Sequence, residues 1–217
     1  LAIDEDAFKA LMQEQRVRAR NARNNVSGWS NANKTLLADL PKTVFTGYTE
    51  NTTDAEVVAI IADDEAVDQV SEGEFTLVLD KTPFYGEGGG QVGDTGFICD
   101  ANGERMAAVT DTKKTDGVFL HVCTLTDGFV IKVGDTVTAA IDGTRRAAIR
   151  RNHSSAHLLQ AALRQVLGDH VAQAGSYVDE NRGRFDFTHY AAVSPDEHKR
   201  AERLINEKIL EGIPADI

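Results

Sequence analysis

Val118-Phe-Leu-His-Val-Cys-Thr124, the turn Asp127-Gly128 and then Gly134-Asp-Thr-Val-Thr-Ala-Ala-Ile141 decide the fold class of this chain. Both runs are short, rich in β-branched or aromatic residues, and bounded by glycine turns, a pattern that strands satisfy and helices do not. Working outward, the same texture recurs at Val44–Tyr48, Glu56–Ala62, Phe75–Leu79, Gly96–Asp100 and Arg105–Thr112. Glu72-Gly73, Asn102-Gly103 and Asp116-Gly117 punctuate it. Short strands at this spacing predict a small barrel or sandwich over residues 42–142.

The texture changes on both sides. Before it, residues 4–26 read as a helix: Asp4, Glu5 and Asp6 suit the positive end of the helix dipole, and Arg16, Arg18, Arg20 and Arg23 follow. A weaker helix over about residues 31–40 is stopped by Pro41, so residues 1–41 form a helical segment. After it, Thr144–Leu167 reads as a long helix ended by Gly168. Strands near Val171–Val178 and Arg184–Thr188 follow, and Ser194-Pro195-Asp196-Glu197 opens a further helix to about Leu210. The expected class is therefore α+β: a helical segment, a small β-barrel, and a two-layer α/β unit over residues 143–217.

Composition narrows the function. The chain has 217 residues, 41% of them hydrophobic, enough for a core without staples. No apolar run is long enough to span a membrane. The chain opens at Leu1 without a charged-then-apolar segment, so neither secretion nor membrane insertion is expected. Leu1 also points to a piece of a longer protein. Cys99 and Cys123 are too few for a disulfide scaffold and suit a reducing cytoplasm. A net charge of −11 argues against a general nucleic-acid coat. Arg145, Arg146, Arg150 and Arg151 nevertheless form a local basic patch that either steers a phosphate backbone or is a solvated helix face.

Two motifs carry chemistry. In His153-Ser-Ser-Ala-His157 the histidines stand at i and i+4, on one helix face about 5–6 Å apart. That spacing lets two imidazoles share one divalent metal, although zinc asks for four partners. Ser154 stands where a zinc peptidase would carry its general-base glutamate, which disfavours that reading. The alternative is a pair of structural histidines. His121, His170, His189, His198 and the two cysteines show no ligand spacing and read as structural. The second motif runs from Thr82 to Gly96, with six glycines between Gly86 and Gly96. It is either a bulged loop between barrel strands or a nest of amides for an ester carbonyl, ribose or phosphate.

In this order, Thr82-Pro-Phe-Tyr-Gly-Glu-Gly-Gly-Gly-Gln-Val-Gly-Asp-Thr-Gly96, Arg150-Arg-Asn-His-Ser-Ser-Ala-His-Leu-Leu159, Val171-Ala-Gln-Ala-Gly-Ser176 and Arg184-Phe-Asp-Phe-Thr-His189 resemble the aminoacyl-tRNA editing family, the editing domain of alanyl-tRNA synthetases and its free-standing relatives. Val133-Gly134-Asp135 is similar to turns that close small barrels in translation proteins. The resemblance implies a deacylase acting on tRNA(Ala) mischarged with serine or glycine, with the rest of the synthetase as partner. It also implies zinc held by His153, His157 and a later Cys-x-x-x-His that does not occur by Ile217. On that basis these residues alone are expected to be inactive, a non-catalytic tRNA-binding or interdomain module being the alternative. ATP and magnesium would belong to the parent enzyme's aminoacylation domain. Gln173 matches a pocket glutamine, Thr82 is a candidate reader of the serine hydroxyl, and Gly88, Gly89, Gly90, Gln91, Arg150 and Arg151 are candidate contacts to substrate or tRNA. Ala156 replaces a threonine usual in the family.

Overall fold

The computed structural model describes residues 11–15, 37 and 40–213. Most of the helices expected over residues 4–26 and 31–40 lies outside the described residues; residues 11–15 and Leu37 are helical.

Thirteen strands and two long helices are described from Val44 to Glu211. The barrel strands are β2 (Thr52–Ala62), β5 (Glu74–Leu79), β7 (Gly96–Cys99), β8 (Arg105–Thr115), β9 (Val118–Leu125) and β11 (Thr136–Ile141). They pair antiparallel in the order β11-β7-β8-β9-β5-β2, and β11 pairs again with β2, so the sheet closes on itself as a six-stranded barrel. Closure leaves no long unpaired edge among these strands. Register shifts at Val57/Ala59, Ile98/Cys99 and Val109/Asp111 supply the bends that a small barrel needs.

Alternation fills the inside and covers part of the outside. Phe75, Leu77 and Leu79 of β5 point inward with Cys123, Ile98, Val109 and Val137. Val78 of the same strand faces out, against Ile61, Val118, Leu120 and Leu37. The short strands β3 (Glu65–Val67), β4 (Gln69–Val70), β6 (Lys81–Thr82) and β10 (Ile131–Lys132) were not foreseen. Two or three residues carry no readable period, and these strands exist because β3 folds back on β2, β1 (Val44–Phe45) meets β6 and β4 meets β10 in space.

Helix α1 (Gly143–Leu167) starts one residue after the last barrel strand, capped by the Asp142 side chain on the Arg145 N–H and closed at Gly168. It packs on the hairpin of β12 (Gln173–Val178) and β13 (Gly183–Phe187) and on α2 (Pro195–Glu211). Ser194 and Glu197 form a reciprocal capping box for α2, with Pro195 in the first turn. No described helix is long and apolar enough to cross a membrane.

Candidate functional site

His153 and His157 lie on the exposed to half-buried face of α1 with ring centroids 5.1 Å apart and planes 10° from parallel. His153 Nδ1 is 2.6 Å from Oε1 of Gln91, a residue 6% exposed on the glycine-rich loop. Burial, and then the neighbouring His157, hold the His153 imidazolium below its ordinary range. Around neutral pH His153 is therefore biased toward its neutral ring, the form whose lone pair binds a metal. The zinc implied by the resemblance fits these two donors. Among the described residues no group of three or more His, Cys, Asp or Glu could complete the set.

The loop that carries Gln91 is built around a two-residue turn. Gly88 and Gln91 exchange both backbone hydrogen bonds, at 3.1 and 2.9 Å, across Gly89 (φ +60°) and Gly90 (φ +85°). Positive φ at both central residues makes this the hairpin turn that glycine suits best. Its far side clasps β12: Val178 N–H donates to Gly90 O at 2.8 Å and Val92 N–H to Val178 O at 3.1 Å. A Cβ on Gly90 would sit 2.4 Å from Ser176 Oγ and 2.5 Å from its carbonyl oxygen, whereas one on Gly89 meets nothing within 4 Å. Gly89→Ala is thus expected to cost about 1–2 kcal/mol for the backbone conformation alone. Gly90→Ala should cost more and open the clasp, seen as faster hydrogen exchange at the Val178 amide.

The basic patch divides in two. Arg146 is buried and donates through Nε to both Asp94 carboxylate oxygens at 2.8 and 2.9 Å, and through its terminal nitrogens to Gly47 O at 3.0 Å and Pro83 O at 2.8 Å. Arg145 donates to Gly93 O at 2.8 Å and pairs with Glu180 at 3.2 Å. These two arginines bolt α1 to the loop and are not free for a phosphate. Arg150 and Arg151 are exposed and border a groove of about 530 Å³ between α1 and α2, floored by Ala147, Leu158 and Ile209.

Other expected site residues are placed elsewhere or used differently. Thr82 is fully buried, its hydroxyl 2.8 Å from His121 Nε2 and accepting the Phe84 N–H at 3.2 Å, so it faces the barrel interior and away from solvent. Gln173 is exposed at the start of β12, opposite Phe187 and beside a bulge, and no hydrogen bond ties it to either histidine of the pair. The N–H groups of Gly88 and Gln91 are spent within the turn, while among the described residues those of Gly89 and Gly90 meet no acceptor. Cys99 and Cys123 are free thiols whose burial pushes their pKa up, which makes them poor ligands. Asp94 lies within the Thr82–Gly96 motif, but nothing in the motif singles it out, because its partner is 52 positions away in the chain. His170 and His189 also meet, Nε2 to Nδ1 at 2.8 Å with the Tyr190 ring tilted against both, a contact that no spacing announced.

The family model of class II (A) tRNA synthetases matches residues 1–145, which include the whole barrel. The chain belongs to this class II (A) tRNA synthetase family. The match ends at Arg145, just inside α1, but relatives align further. The alanine–tRNA ligase of Acetivibrio thermocellus is 46% identical over 220 residues, taking in 100% of this chain and 25% of its own length. Those of Dichelobacter nodosus and Saccharophagus degradans are 47% and 46% identical over 218 residues, each covering 100% of this chain and 24% of the relative. The chain therefore spans about a quarter of the length of the curated relatives it matches.

Proposed function

We propose that this chain is the editing part of an alanine–tRNA ligase, hydrolysing the ester that joins serine or glycine to tRNA(Ala). The observation that carries the reading is the i, i+4 pair His153 and His157, with Gln91 behind His153, in a chain aligned end to end with alanine–tRNA ligases. The need for such a site is physical. A pocket that accepts alanine cannot exclude smaller glycine by size, and rejects serine weakly because serine adds only a hydroxyl. A second site corrects both errors.

In this reading His153 and His157 would hold zinc together with a Cys-x-x-x-His supplied from outside these residues, and the ion would supply Lewis-acid polarisation or an activated water. The chain's own residues do the rest. Arg150 and Arg151 attract the phosphate backbone toward the helix that carries the histidines. The unpaired N–H groups of Gly89 and Gly90 are donors for the ester oxygen as it gains charge. Water adds to the ester carbonyl, the ribose oxygen leaves with a proton, and free amino acid and tRNA result. A second reading, a tRNA-binding module without chemistry, is favoured by the want of a third ligand among the described residues.

His153→Ala in the full ligase is the test. Deacylation of Ser-tRNA(Ala) should be lost while alanine activation is kept; unchanged deacylation would sink the proposal. Comparing the 217-residue chain with one extended through the Cys-x-x-x-His separates the second reading, since activity is expected only in the longer one.

A further inference from the structure

We infer that Gln91 is a positioning residue for the histidine pair: its side-chain carbonyl keeps the His153 proton on Nδ1 and leaves Nε2 as the ring's lone-pair donor. The inference rests on the metal role proposed above for His153 and His157, and adds to it a residue of the glycine-rich loop.

The chemistry of the contact is directional. Oε1 of an amide only accepts, so at 2.6 Å from Nδ1 it requires the hydrogen to be on that nitrogen. A neutral histidine free in water favours the proton on Nε2, so the amide must hold the ring in its less favoured tautomer. Such a contact does for a ligand histidine what carboxylate or carbonyl partners do in metal sites, fixing ring orientation and raising the basicity of the other nitrogen.

Gln91 is built to hold that aim. The residue is almost wholly buried, at 6% exposure, which limits competition by water for the amide. Its backbone is bonded to Gly88 in both directions, and its neighbours Gly90 and Val92 are bonded to Val178 on the other side. Three residues on, Asp94 accepts from Arg146 of the same helix that carries His153 and from the Tyr85 N–H at 2.7 Å. Loop and helix are thereby fixed to each other close to the contact, so little rotamer freedom is left to lose when a metal arrives. The glycines thus bring a buried side chain to a histidine 62 positions away, a use of the loop distinct from its amides.

The test uses the metal-free 217-residue chain labelled with ¹⁵N-histidine, the His153 signals being assigned by their loss in His153→Ala. The unsubstituted chain should show His153 as the Nδ1–H tautomer. Gln91→Met, close in volume but without the acceptor, should move it toward Nε2–H and, in the chain extended through the Cys-x-x-x-His, weaken binding of zinc ion alone, titrated calorimetrically, by about 10–100-fold. Gln91→Glu, which restores an acceptor, should recover both. Finding Nε2–H in the unsubstituted chain, a measurement that needs no variant to fold, overturns the inference, as does a Gln91→Met tautomer that does not move. If His153→Ala leaves zinc affinity unchanged while Gln91→Met still shifts the tautomer, the positioning stands and the metal reading is what fails.

Discussion

Replacing Arg146 with leucine is expected to cost about 3–5 kcal/mol of folding stability, because it leaves a buried carboxylate without its counter-charge. The Asp94 side chain is 2% exposed and that of Arg146 10%, so solvent does not rescue either group. Without the guanidinium, Asp94 keeps only the Tyr85 N–H at 2.7 Å among the described residues, and the carbonyls of Gly47 and Pro83 lose a donor as well. For a chain of this size the loss corresponds to a fall in melting temperature of roughly 10 °C. Urea unfolding of Arg146→Leu measures it directly. Removing both charges, in Asp94→Leu with Arg146→Leu, should recover part of the loss, since breaking one partner is worse than replacing the pair. A single variant within about 0.5 kcal/mol of the parent would mean that the ion pair does not join helix to barrel.

The second large effect is a loss of stability in mild acid that belongs to His121. This ring is wholly buried in the barrel, with Nδ1 donating to Leu77 O at 2.9 Å, Nε2 accepting from Thr82 at 2.8 Å, and Phe84 edge-on at 5.2 Å. Burial lowers its pKa from 6.5 to about 4. The unfolded chain therefore binds more protons than the folded one between those values, so stability rises with pH across the window. It is fully present above 6.5 and drains away as pH falls toward 4, by about 3 kcal/mol in all. His153, lowered for similar reasons, adds in the same direction. His121→Gln keeps hydrogen-bonding groups but cannot charge, so the difference between parent and variant isolates the His121 share. Urea midpoints at pH 7.5 and 4.5 should differ far less in the variant than in the parent. Equal slopes would show that the buried ring titrates as it does in water.

Among the described residues, the sequence by itself determined the long elements from β2 to α2. The barrel strands, α1, the hairpin and α2 were legible because each announces itself within a few residues, through alternation, a glycine turn or a capping pattern. Asp142 capping α1 and Ser194 opening α2 are local chemistry of this kind. The histidine pair was legible too, because i and i+4 share a face on any helix.

Only the tertiary structure decided what those side chains touch. Gln91 reaches His153, Asp94 reaches Arg146 and Thr82 reaches His121 across 62, 52 and 39 positions, and no local period encodes such partners. Barrel closure and the clasp of the glycine loop on β12 bring them together. Thr82 shows the consequence: it stands beside the loop in sequence, and closure turns its hydroxyl inward to a buried histidine. Arg146 shows it again, a surface cation by composition and a buried anchor once Asp94 was beside it. Residue type and spacing set which chemistry was available, and the low-dielectric contacts made on closure set which residues were free to use it.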